Sequence, residues 1–85
     1  MKIISKEGKE ITERFFIAIQ YLKEQRKIRG IEDFANRYGL SQSYLSDIKS
    51  HTDSRSIKVE YIMYLVRDFD ISPTWILIGV GNILT

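Results

Sequence analysis

Residues 41–50, SQSYLSDIKS, gather an amide, a phenol, a carboxylate and several short hydroxyls around one apolar pair, Leu45 and Ile48. On a helix, positions three apart share a face, so Leu45 and Ile48 turn inward together. That leaves Gln42, Ser43, Ser46 and Asp47 outside, with Tyr44 among them. These residue types can read base-pair edges in a DNA major groove. Gln42 can pair bidentately with adenine N6 and N7, and Ser43 is short and adaptable. Asp47 can accept from cytosine N4, or can exclude wrong sequences through its repulsion of nearby phosphate. Tyr44 can pack its ring on a thymine methyl and give its hydroxyl to a phosphate. The plainer reading of each residue is a solvated helix surface.

The preceding residues supply a frame for that face. Phe34, Ala35, Tyr38, Gly39 and Leu40 continue the apolar and small spacing of Leu45 and Ile48, which predicts two short helices meeting at a tight turn. Ala35 is small where the second helix must cross close by. Gly39 stands where the chain reverses, and a turn there commonly needs positive φ, which glycine adopts at little steric cost. Ser41 is placed to cap the second helix by accepting from the backbone N–H of Ser43 or Tyr44.

Formal charge is only +2 over 85 residues, so distribution matters more than the total. The motif itself is slightly acidic, with Glu32, Asp33 and Asp47 against Arg37 and Lys49. Basic residues cluster just before it (Lys23, Arg26, Lys27, Arg29) and just after it (Arg55, Lys58). Phosphate-binding positions flanking a specificity helix would give this pattern. Cations favoured near a helix C-terminus would also give it.

Phe34-Ala35, Gly39-Leu40, Ser41-Gln42-Ser43 and Leu45-Ser46…Ile48 together resemble the helix-turn-helix of the phage repressor and Cro-type family, also called the xenobiotic-response-element family. A second match is Asp70-Ile71-Ser72-Pro73-Thr74-Trp75-Ile76-Leu77 followed by Gly79 and Gly81, which looks like that family's closing helix. The resemblance covers roughly residues 14–84. It implies a compact, all-α, five-helix repressor-like DNA-binding domain with a central helix-turn-helix. It further implies base contacts from Gln42 and Ser43; by their chemistry Tyr44 and Asp47 join them as base-contact candidates, and Ser41, Arg55, Lys58, Lys27 and Arg29 are the candidates for phosphate contact. The chain departs from the family pattern at Ile31, where glutamine is usual, and at His51, where glycine is usual. Lys49 stands where glutamate is common, which suggests a swapped ion pair with Glu24. Ile78 and Val80 stand where polar residues are common.

Along the chain, residues 1–9 carry no helical period and read as a flexible N-terminal arm ahead of a domain at 10–85. Ile11, Phe15, Ala18, Ile19 and Leu22 predict a helix from about Glu10 to Lys27. Phe16, Ile17 and Tyr21 widen its stripe, for a helix buried on two sides or for a dimer contact. After the motif at 31–50, Ser56 is expected to cap a helix over Ile57–Phe69, with Ile57, Tyr61, Ile62, Leu65 and Phe69 inward. Ser72 is expected to cap a short fifth helix with Pro73 at its first position, where the missing N–H costs nothing. Trp75, Ile76 and Leu77 are expected to fill the base of the core. Ile78, Val80, Ile83 and Leu84 leave much apolar surface at a chain end. They are assigned to a homodimer contact that would set two recognition helices about 34 Å apart. The alternative is that they fold back onto the first helix.

Size and composition fit one small domain, able to bury about 60–65% of its unfolded surface. There is no cysteine and one histidine, which argues against a disulfide frame, a thiolate metal site or a His-rich one. No cofactor, metal or small-molecule ligand is indicated. No run reaches the roughly 18 apolar residues of a membrane span, and the first residues are too short for a signal peptide, so a cytoplasmic protein is expected. Neither a phosphate-binding glycine loop nor paired carboxylates suggest an enzyme. The expectation is a sequence-specific double-stranded DNA-binding transcriptional regulator. It would be a small phage or mobile-element repressor, dimeric on a pseudo-palindromic operator. A protein-interaction module on the same fold is the alternative.

Overall fold

Helix α1 (Lys6–Glu24) begins where the Ser5 hydroxyl accepts from the Gly8 backbone N–H at 3.0 Å, in the computed structural model, which describes residues 5–85. The expected arm is therefore corrected over residues 5–9, which are capped and helical; residues 1–4 lie outside those described. Ser5 accepts from the N–H of Gly8 and so holds the first turn, although a glycine so near a helix start favours no helix by itself. The other end also moves, from Lys27 to Glu24. Arg26 takes a left-handed φ of 61°, and the N–H of Lys27 returns to the Leu22 carbonyl at 2.9 Å. This is the closing geometry glycine usually serves, here made by arginine.

Phe15, Ala18, Ile19 and Leu22 are buried along α1 as their spacing predicts. Thr12 is buried beside them, and its hydroxyl is used twice. It donates to the Gly8 carbonyl at 2.8 Å and accepts from the Ile57 N–H at 3.0 Å. That second bond explains a correction downstream. Ile57 is a buried anchor in the loop, and α4 begins only at Val59 (Val59–Phe69), with Lys58 at its cap and no side-chain cap bond. Ser56 therefore does not cap it.

Helices α2 (Ile31–Tyr38) and α3 (Gln42–Ser50) form the turn unit that the sequence led us to expect. Gly39 adopts φ 66° and ends α2, while the Ser41 hydroxyl accepts from the Tyr44 N–H at 3.1 Å and starts α3. Phe34, Ala35, Leu45 and Ile48 meet in the core. At the entrance to α2, Gly30 has φ 128°, a conformation open to glycine, and the Arg29 N–H donates to Asp33 Oδ2 at 2.9 Å.

Helix α5 (Pro73–Ile78) is capped by Ser72, whose hydroxyl accepts from the Trp75 N–H at 3.2 Å. Of the three residues expected at the base of the core, Ile76 is buried, Trp75 is half-buried and Leu77 is exposed, because so short a helix turns only one narrow face inward. Arg14 reaches from α1 to donate to the Ile76 and Leu77 carbonyls at 2.8 and 3.1 Å, tying α5 to α1. The chain end then returns alongside residues 70–72. The Ser72 N–H donates to the Ile83 carbonyl at 2.8 Å and the Thr85 N–H to the Asp70 carbonyl at 2.9 Å. Apart from this isolated bridge, the described residues are all-α, and no helix is long and apolar enough to cross a membrane.

Candidate nucleic-acid interface

The outer face of α3 is built from its own amphipathy. With Leu45 and Ile48 buried, Gln42, Ser43, Ser46, Lys49 and Ser50 are exposed. Gln42 and Ser43 stand at its first two positions, the end where side chains project ahead of the helix. The Ser41 hydroxyl is engaged as an acceptor in the cap, which leaves its proton available to a phosphate oxygen. Tyr44 is different. Its ring is half-buried against the core, with Lys58 Nζ 5.4 Å from the ring centroid. Tyr44 thus fixes the helix edge and positions Lys58.

Two basic flanks border this face. On one side Lys23, Arg29 and Lys49 share a groove with Gln42 and Ser46. Among the described residues these three cations make no ion pair with an acidic side chain. The expected Lys49–Glu24 pair is therefore not formed; the Glu24 carboxylate instead accepts from Gln20 Nε2 at 3.5 Å, one turn back on α1. Lys23, noted only within the basic cluster ahead of the motif, and Lys49, given no phosphate role, lie far apart in sequence, and only the packing of α1 on α3 brings them to one groove. Lys27 lines other clefts, one with Arg26 and Arg37 and one with Asp68 and Phe69, and does not share the α3 groove. Ile31 is half-buried at the groove wall, packed on the core.

On the other side stand Arg55, His51 and Lys58. Arg55 Nε lies 3.0 Å from Asp47 Oδ2, and His51 Nδ1 lies 3.3 Å from Asp47 Oδ1. His51 ends α3 with φ −134°, outside the left-handed region that a closing glycine commonly takes. Its ring nitrogen sits 2.9 Å from the Asp47 carbonyl oxygen and its N–H donates to the Ile48 carbonyl, which closes the helix without glycine. Asp47 and Arg55, assigned separately to base and phosphate, are thus partners of one another.

The strongest electrostatic perturbations join α2 to α4. Asp68 accepts from Arg67 Nε and Nη2, each at 2.8 Å, and from the Tyr38 hydroxyl at 2.5 Å. These bonds hold its carboxyl down at about 2. Burial, followed by the Asp68 bond, pushes the Tyr38 hydroxyl up to about 12. The Tyr38 and Tyr64 rings stack at 4.0 Å between the two helices. This cluster braces the frame beneath the turn.

At the chain end, Ile78 is 69% exposed and Val80 59%, with Leu77 and Leu84 also exposed. Ile83, assigned with them to a dimer contact, packs against the monomer's own core because its backbone is held by Ser72. Among the described residues no group of histidine and acidic side chains is placed to hold a metal ion. Comparison of the chain with protein-family models, with curated proteins and with solved structures returns no match.

Proposed function

We propose that this protein is a sequence-specific double-stranded DNA-binding regulator of phage repressor or Cro type, working in the cytoplasm by occupying an operator, without catalysis. One observation carries the reading: α3 presents a capped, polar outer face between two basic flanks. A major groove about 12 Å wide admits a helix, and its walls are lines of phosphate. With α3 in the groove, Gln42 and Ser43 would meet base edges, while Lys23, Arg29 and Lys49 on one side and Arg55 and Lys58 on the other would meet backbone phosphates. The exposed Leu77, Ile78, Val80 and Leu84 would pair with a second copy, so that two α3 helices reach major grooves about 34 Å apart.

Binding-site selection from a random duplex library tests this. The expected result is a pseudo-palindromic preference that relaxes at particular base pairs in Gln42→Ala and Ser43→Ala. Recovery of no preferred sequence would count against it. The same apolar end and the modest net charge of +2 favour a second reading, a protein-interaction module on this fold. That reading expects no duplex binding even at low salt.

A further inference from the structure

Helix α3 carries one anion, Asp47, and both of its carboxylate oxygens are engaged from the C-terminal side. Arg55 Nε sits 3.0 Å from Oδ2 and His51 Nδ1 3.3 Å from Oδ1. To a guanidinium, a carboxylate and a phosphate present the same feature: anionic oxygens that accept charge-assisted N–H bonds. Asp47 therefore occupies the place at Arg55 that a DNA phosphate would take. The pair is half-open to water, with side-chain exposures of 53% for Arg55 and 39% for Asp47, so it is screened and readily exchanged. Across the face, Lys23, Arg29 and Lys49 are paired with no acidic side chain among the described residues and have nothing to release. One flank is open; on the other, Arg55 is held while Lys58, over the Tyr44 ring, is paired with no acidic side chain among the described residues.

We infer that Asp47 is a latch on Arg55, and hence a specificity-determining residue that reads no base itself. The inference rests on the reading of α3 as the DNA-facing helix. Loose contact with any duplex engages the open flank and leaves the latch closed. Only a duplex seated closely along α3 brings a phosphate into line with Arg55 and displaces the carboxylate. Asp47 then lowers affinity for random sequence, and the Arg55 contact is added where the fit is close.

The test is a titration of a fluorescent random-sequence duplex with wild type, Asp47→Asn, Arg55→Gln and the double variant, over a range of salt. The latch predicts that Asp47→Asn binds several-fold tighter and that its log–log salt slope steepens by about 0.9, one added phosphate contact. Both changes vanish once Arg55→Gln is added. An equal gain in the Arg55→Gln background means that Asp47 acts by plain repulsion, and overturns the latch. Unchanged or weaker binding by Asp47→Asn overturns it as well. If the wild type binds no duplex at low salt, the DNA reading falls and the latch with it; wild-type binding without the Asp47→Asn gain removes the latch alone.

Discussion

At the scale of single residues, the fold and the proposed function depend on different side chains, and substitutions separate them. Gln42 is exposed at the start of α3 and contributes nothing to the core. Gln42→Ala should leave stability and random-duplex binding unchanged while losing about 1–3 kcal/mol of discrimination at one base pair of a selected site. Quantitative binding to single-base variants of that site measures it. Thr12 is the converse, fully buried and far from α3's outer face in role. Thr12→Val keeps the volume but removes the acceptor for the Ile57 N–H, and should destabilise the protein by about 1–3 kcal/mol in denaturant titrations. Thr12 also marks a limit of pattern reading. A threonine beside an apolar stripe reads as a boundary residue, and its partner lies 45 residues away. The same holds for the site: Asp47 and Arg55 were legible as candidate contacts, but not as partners of each other.

At the scale of elements, the turn unit was legible because its determinants are local. Gly39, Ser41 and the Leu45–Ile48 pair act within a few residues of where they stand, and all take their expected places. Helix ends were less legible. α1 starts early through Ser5 and stops early through a left-handed Arg26, and α4 starts late because Thr12 holds Ile57 in the loop. Each of those boundaries depends on a side-chain or backbone bond that spacing does not encode. The bridge between α2 and α4 carries a pH prediction. Asp68 is held at about 2, below the ordinary carboxylate value of 3.8, chiefly by Arg67 and then by Tyr38. A depressed carboxylate stabilises the fold above its unfolded value and loses that contribution as pH falls through the folded one. Thermal melts of wild type and Asp68→Asn should therefore differ most at neutral pH and converge between about pH 4 and pH 2. Melting curves that stay equally separated across that window would remove Asp68 as the cause.

At the scale of the whole molecule, the questions are how many copies act together and what they act on. Ile83 completes the monomer's core edge, so the outward apolar surface is narrower than the chain-end sequence suggested. It is centred on Leu77, Ile78 and Val80. Ile78→Asp with Val80→Asp should leave the melting temperature nearly unchanged and lower the mass seen by light scattering from dimer to monomer. A wild type that is already monomeric at the concentrations where it binds DNA would end the dimer proposal. The central claim is that the α3 face, between its flanks, engages duplex phosphate and base edges. Its most direct test is the affinity of the wild type for a random-sequence duplex as salt rises from about 50 to 200 mM. Measurable binding is expected at the low end, with a steep, log-linear loss towards the high end. A Lys23→Gln, Lys49→Gln variant that still folds should show a shallower slope. No binding at low salt, or a slope unmoved by loss of both lysines, would contradict it.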